Sequence, residues 1–594
     1  MQAATAISAS LGLMAAICLT VGSPSPCHGL DGDGEPGRWV QSFDAGYRDD
    51  RGAYAGGSEI MHLAAHQGQL YAANGYWVDR HWEIPPDTER QSAQVLRLDS
   101  ADSRWQVDLD TGQSNGLGLG YMKGNILKSV TFTRDSSGKP LPVPQTLLVM
   151  SAGARFERGG AVSAWVRNDD DGTWTHSLVR HGSSLGGVRW VPRDMQVYRD
   201  KVTGLEQLFL LLGNPGVITG VYDPATPSSI RWKRDVEFPF LTTGSFRTRP
   251  LGIVEANGTL LLSEGSSIYR RNDGHKPVWT EILDLNQDTD TDVGGIRGLT
   301  TIDNPNGDGQ SILFLWAPGD RSRSQIKRLD PDSSDGYTVH DEASMLDLMS
   351  QTLQTRVTYT LGGHSMLYPV QHPDTGETLH LIGFQGRPAD RQSLLWKGRL
   401  YGGAMYAVRK SDQTYSVLEV NNAYAPGKPF LVSPRTFCVS PFGDDSLYIG
   451  GHDSSNAVSD DMAWIFRAPI RVAVGATQGL DSVTPAIESP VEPRLTAGPV
   501  YELRIYAAAE GRFPHLLKRF REHTHRLFTK HRMTPVGYWV PVDGPQRLRR
   551  TLIYILEHDS RYAAWKNWIR FSNDNEWKSV LENPSFQRLL TGPP

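Results

Sequence analysis

The sequence predicts two unlike domains: a seven-bladed β-propeller over residues 37–472 and a ferredoxin-like α+β domain over residues 499–594. Three observations carry that expectation. The first is a strand that occurs twice. Gly37-Arg38-Trp39-Val40-Gln41-Ser42-Phe43-Asp44-Ala45-Gly46 matches Ser103-Arg104-Trp105-Gln106-Val107-Asp108-Leu109-Asp110-Thr111-Gly112 at Arg-Trp, at the large apolar residue four after the Trp, at Asp and at Gly. The later copy closes a run of strands, whereas the earlier copy has none before it to pair with. Its partner is expected at Asp461–Arg467, so that residues 37–46 complete the last blade and leave no free sheet edge. The second observation is a recurring unit of apolar strand, Gly- or Asp-bearing turn and second apolar strand. The third is an abrupt change of charge and periodicity after a proline-rich stretch.

The chain opens with an apolar run, Leu11 to Gly22, followed by small and turn-forming residues. Residues 1–29 therefore read as a signal peptide or, if uncleaved, an N-terminal anchor. The expected location is secreted or periplasmic, with membrane anchoring as the alternative. Second strands then recur at Leu70–Asn74, Leu147–Met150, Leu208–Leu212, Leu260–Leu262, Ile312–Trp316, Leu379–Gly383 and Leu447–Gly450. Such continuous apolar runs indicate strands covered on both faces. Six of them lead into hairpins at Arg97-Leu98-Asp99, Arg167-Asn168-Asp169, Tyr222-Asp223-Pro224, Arg271-Asn272-Asp273, Arg328-Leu329-Asp330 and Arg409-Lys410-Ser411. An insertion at Asp341–Gln354 carries Met345, Leu346, Met349 and Leu353 at helical spacing.

Residues 473–498 form a linker interrupted by Pro485, Pro490 and Pro493. Beyond it the sequence carries 16 Lys or Arg against 9 Asp or Glu, within a chain of formal net charge −5. The pattern there is strand (500–507), helix (513–531), strand (535–541), strand (549–557) and helix (561–571). Phe513, Leu516, Leu517, Phe520, Leu527 and Phe528 make one face of the first helix, with Lys518, Arg519, Arg521, His525 and Arg532 outside it. Tyr501-Glu502-Leu503-Arg504-Ile505-Tyr506, then Gly537-Tyr538-Trp539, then a strand with Tyr554 followed by Arg561 and Trp577, resembles the NIPSNAP family of dimeric α/β-barrel domains. That resemblance implies two sheets paired face to face in a dimer, and a role in interaction without an agreed catalytic set. After Trp577, Ser585–Leu590 leaves little room for the family's last strand.

Several motifs point to chemistry and fail on context. Gly182-Ser183-Ser184-Leu185-Gly186 fits G-x-S-x-G, but a strand rather than a helix follows, so no nucleophile elbow forms. Asp288–Asp292, and Asp303 with Asn306–Gly309, resemble calcium loops; the first lacks the glycine and the terminal acid, and the second falls where a hairpin turn is required. His523, His525 and His531 read as a basic helix face. Only Cys18, Cys27 and Cys438 occur, and no phosphate-cradling Gly loop or HExxH. No catalytic residue, metal or cofactor is expected, and the charge balance excludes nucleic acid as a partner.

The stronger pattern comes from aligning the inner strands. Each begins with a polar residue two before its first apolar one: Glu59, Lys128, Arg193, Arg249, Arg297, His364 and Arg435. In a propeller these side chains converge at the mouth of the central channel, where loops add Trp77, His81, Trp82, Trp316 and His452. Clustered cations with aromatic walls suit a small anion, a carboxylate or an acidic saccharide. The alternative is a structural ring in which each Arg pairs with an acid of the next blade. Function is accordingly expected to be ligand binding by the propeller, with partner or self association through the C-terminal domain. The alternative is an enzyme: a lyase on uronate-type substrates with His364 or His452 as base, or oxygenase-type chemistry in the C-terminal domain.

Overall fold

The structure, a computed structural model, describes residues 39–590 without 77–91, 115–119, 122, 157–158, 184–189, 214, 240–249, 286–294, 319–323, 333–335, 354–356, 363–366, 389–403, 421–432, 453–462, 477–499, 543–545, 559–566, 569, 573 and 588. The signal-peptide expectation, residues 477–498 of the expected linker, Ser184 and the 288–292 acidic run fall outside these residues, while Ala473 and Val474 at the linker's start are buried in the first unit's core. Two compact units divide the chain, one of them Gly29–Gln478 and the other built on Gly479–Pro594.

The first unit is propeller-type: small antiparallel sheets follow one another along the chain. The first sheet runs Glu59–His66, Gln69–Gly75, Gln94–Leu98, Gln106–Asp110; the next is built on Ile126–Arg134, Pro140–Phe156, Gly159–Arg167 and Trp174–Ser183. Sheets beginning at Met195–Arg199, Pro250–Ala256 and Gly295–Asp303 follow, then one built on Thr378–Pro388 and a last one on Ser433–Val439, Ser446–His452 and Ala463–Pro469. Every expected second strand occupies a central position in its sheet, which explains its unbroken apolar sequence: both faces are covered.

Packing shows how the sheets form a ring. Each apolar cluster draws on two consecutive sheets. Phe209 and Leu211 meet Ile253 and Leu262, while Leu313 and Leu315 meet Ile382 and Phe384. The series closes where Ile60 and Leu70 of the first sheet pack with Tyr448 and Ile465 of the last. Val40–Asp44 lies antiparallel to Ala463–Pro469, with Val40 opposite Arg467 and Asp44 opposite Trp464. The repeated strand is used alike in both copies. Trp39 and Trp105 are both fully buried, and each presents an edge to an aromatic neighbour, Tyr406 and Phe43 respectively, at 6.3 Å.

The hairpin arginines knit the outer parts of the ring. Arg97 and Arg167 share Asp108 at 2.8 and 2.9 Å, and Arg271 holds Asp200 at 2.8 Å and Glu237 at 2.7 Å. Arg328 and Arg409 likewise share Glu342, which a Tyr415 hydroxyl also reaches. These buried cations are fully compensated, the condition under which burial of charge is tolerated. The helix in the 341–354 insertion is shorter than expected. The strand Tyr337–Ser344 runs on first, and the helix Met345–Leu353 then buries Met345 and Met349. At the second suspected calcium loop, Asn304 N–H bonds the Gly309 carbonyl and Gly309 takes φ +83°, a hairpin turn.

The second unit is a three-stranded antiparallel sheet in the order Val500–Ala507, Thr551–His558, Thr534–Trp539, with helices on one face. The expected long helix is present but is interrupted. Phe513–Arg519 and His525–Lys530 are α-helical, and Phe520–Thr524 between them is a π turn. The last expected strand starts two residues late because Gln546–Arg549 is helical, and a helix at Asn575–Glu582, capped by Asp574, lies beyond the expected elements. Where a further strand was short of room, the chain makes a single bridge, Ala508 to Leu590.

Candidate functional site

The seam between the first and last sheets gathers the charged group of interest. Glu59 starts its strand fully buried, and a backbone bridge to His452 places the two strand ends side by side. Glu59 Oε2 is 3.2 Å from Arg435 Nε, and Oε1 is 3.2 Å from Lys123 Nζ. Arg435 Nε–H also donates to His452 Nδ1 at 3.2 Å. Two glycines allow the approach. A Cβ on Gly75 would lie 3.1 Å from Lys123 Cγ, and one on Gly383 would lie 2.2 Å from the Pro434 carbonyl.

Arg193 belongs to the same electrostatic cluster. Its Nε is buried without a hydrogen-bond partner among the described residues. Burial, then repulsion from Arg435, brings its guanidinium down to about 10 against the pull of Glu59. Burial also brings the Lys123 ammonium down to about 7; Glu59 opposes the shift, while Arg193 and Arg435 add to it. For Glu59 burial works upward but is outweighed by Lys123, Arg435 and His452, which hold its carboxyl at about 2. Three cations thus face one carboxylate, and Arg193 Nε has no hydrogen-bond partner among the described residues.

The other expected site residues are placed differently. Lys128 pairs with Asp194 at 2.5 Å and donates to the Met195 carbonyl at 2.9 Å, joining adjacent sheets. Arg297 is fully buried and reaches the Gly362 carbonyl at 3.4 Å. Trp316 lies in the core with Leu299 and Phe314 instead of walling a channel. Trp77, His81, Trp82, Arg249 and His364 fall outside the described residues. Lys123 was missed because it sits outside any strand, on an isolated bridge to Gly75, and the inner-strand alignment has no position for it.

In the C-terminal unit the expected motif residues divide by face. Tyr501, Leu503 and Ile505 are 63%, 54% and 61% exposed. Register places Leu503 beside Ile555 and Ile505 beside Ile553, with Gly537 and Trp539 next in line, so the middle of this sheet face is apolar, with Glu557 opposite Tyr501 at its edge. On the covered face Glu502 binds Arg504 at 2.6 Å and accepts from Trp568 Nε1 at 2.6 Å. Burial would raise the Glu502 carboxyl, but His558, Trp568 and Arg504 hold it at about 2. Tyr506 and Tyr538 pack on Tyr554, and Trp577 packs on Phe571. Arg561 falls outside the described residues. The three histidines diverge: His525 meets Tyr538, His531 meets Asp574, and His523 packs on Phe586.

Comparison with known proteins gives the following. The NIPSNAP family model matches residues 501–589. An uncharacterized NIPSNAP-like domain protein from Burkholderia xenovorans is similar at 14% identity, covering 16% of this chain and 79% of that one, with a TM-score of 0.15. An α-L-arabinanase from Penicillium chrysogenum, complexed with arabinobiose, is similar at 11% identity over 73% of this chain and 98% of that one, with a TM-score of 0.36. A lectin from Burkholderia pseudomallei is similar at 10% identity over 68% and 98%, with a TM-score of 0.39. No curated protein matches.

Proposed function

Residues 501–589 being a NIPSNAP domain, we propose that the chain joins this interaction module to a propeller-type unit that binds a small carboxylate-bearing ligand, an acidic saccharide being the class that fits best. One observation carries the proposal: Arg193 offers a buried Nε–H with no partner among the described residues, grouped electrostatically with Arg435 and Lys123, where Glu59 is the facing acid. A planar carboxylate would satisfy that donor, and the low-dielectric surroundings strengthen the charge-assisted bond. His452 Nδ1 lies 3.2 Å from Arg435 Nε, which ties the imidazole to the cation cluster around Glu59. The apolar run Leu11–Gly22 supports export, which N-terminal mass determination of the purified protein checks.

Calorimetric titration of the full chain with glucuronate and with glucose tests the ligand. Glucuronate should bind and glucose should not, and Arg193→Ala should weaken glucuronate about tenfold or more. Equal behaviour of the two sugars would overturn the proposal. The exposed sheet face supports self-association: burying Tyr501, Leu503 and Ile505 against the same face of a second copy removes apolar surface from water on both sides.

A further inference from the structure

The helix-covered face of the C-terminal sheet carries a half-open pocket of about 720 Å³. This is within the ordinary range for small-molecule sites. Its walls include Tyr506, Phe528, Tyr554, Trp568 and Trp577, and a single unneutralised charge, Arg519. Arg519 was expected on the solvent side of its helix, yet it is only 6% exposed. It ends the α-helical turn at the point where the π turn Phe520–Thr524 begins, and Phe520 and Thr524 of that turn also line the cavity. A π turn widens the helix locally and is frequent at functional sites.

Among the described residues Arg519 forms no ion pair, and no acid acts on its guanidinium. Its Nε is buried and makes no hydrogen bond among the described residues. Its neighbours are aromatic faces, with Trp577 at 5.3 Å and Phe520 at 5.5 Å from the guanidinium. Glu502, on the same face of the sheet, is already held by Arg504, Trp568 and His558. Burial lowers the Arg519 guanidinium, opposed only by the phenols of Tyr506 and Tyr554. An uncompensated buried cation is costly unless an anion completes it.

We propose that this cavity is a binding site for a small aromatic carboxylate, its carboxyl group on Arg519 and its ring against Trp577, Tyr554 and Phe528. The guanidinium fork fits a carboxylate in two parallel bonds, and the flat walls favour a planar body. The site is separate from the propeller cluster and does not depend on it.

Titration of the full chain with 2-naphthoate and with 2-naphthamide, a neutral analogue of the same shape, tests the proposal. Naphthoate should bind one per chain, at least tenfold more tightly than the amide, and quench tryptophan fluorescence. Arg519→Gln should remove that preference, leaving acid and amide within about twofold, while Arg519→Lys should retain part of it. Arg193→Ala should leave naphthoate binding unchanged. Arg519→Gln should also melt at the same or a higher temperature without ligand, because it deletes an unpaired buried charge. Failure of naphthoate to bind, equal affinity for acid and amide in the unmutated chain, or a lower melting temperature of Arg519→Gln without loss of the preference would each overturn the proposal.

Discussion

Glu59 and Arg435 stand at opposite ends of the propeller-type unit's sequence, yet their side chains meet at 3.2 Å. The pair crosses the seam where the first and last sheets adjoin, so the candidate anion site exists only once the ring is closed. Site and closure are one construction, and the first prediction follows from that.

Trp39→Ala should destabilise the first unit by about 3–5 kcal/mol, since the indole is fully buried among Leu447, Trp464 and Phe466. Glucuronate binding should be lost in the same denaturant range as the unit's structure. Equilibrium unfolding followed by tryptophan fluorescence and by ligand binding checks both.

Arg193 and Arg271 should respond oppositely to replacement by Ala. Without Arg271, Asp200 and Glu237 are stranded, at a cost of about 3–5 kcal/mol. Without Arg193 no acid is stranded, so denaturant midpoints should hold while anion affinity falls about tenfold. Urea unfolding beside calorimetry separates the two, and a large stability loss for Arg193→Ala would show it to be a structural cation.

Anion affinity should fall about tenfold as pH rises from 6 to 8, because Lys123 loses its proton near 7. The sign for stability is the reverse. A lysine lowered below its unfolded value, about 10.4, makes the fold gain stability as pH rises from about 7 to about 10. Glu59, lowered to about 2, contributes stability above its unfolded value and loses it as pH falls through roughly 4 to 2. Lys123→Met should abolish the neutral-range dependence of affinity, measured by titration at each pH.

Ile505→Asp should convert a self-associated protein to folded monomers, since the side chain is 61% exposed within one chain. Sedimentation velocity reads the change. A wild-type protein that sediments as a monomer at high concentration would exclude the sheet face as a self-association surface.

Much of the fold was legible because it rests on short-range pattern. Runs such as Leu208–Leu212 and Leu447–Gly450 announce covered strands, and the face Leu516, Phe520, Leu527, Phe528 announces a packed helix. The alternative reading, inner-strand cations paired with acids of the next sheet, is seen at Lys128 with Asp194 and at Arg435 with Glu59, and a second set of Arg–acid pairs lies in the hairpins. In the hairpins Arg271 and Arg328 each have an acid two residues on as well as a second acid, Glu237 for Arg271 and Glu342 of the neighbouring strand for Arg328. Lys123 and Arg519 escaped for different reasons. The first lies outside the strand pattern, and the second sits at the edge of a helical stripe, where a π turn changes which residues face inward. Sequence periodicity assumes regular geometry, and both residues stand where that geometry breaks.

The antiparallel match of Val40–Asp44 with Ala463–Pro469 also imposes a timetable. The first strand to leave the ribosome pairs with one of the last of its unit, so at about 5–20 residues per second it waits roughly 20 to 90 s for a partner. Throughout that interval the indole of Trp39 and the ring of Phe43 have nowhere permanent to go. Moving this strand by circular permutation to follow Pro469 would shorten the wait to about a second, and nascent chains of that order should need less chaperone to reach the soluble state.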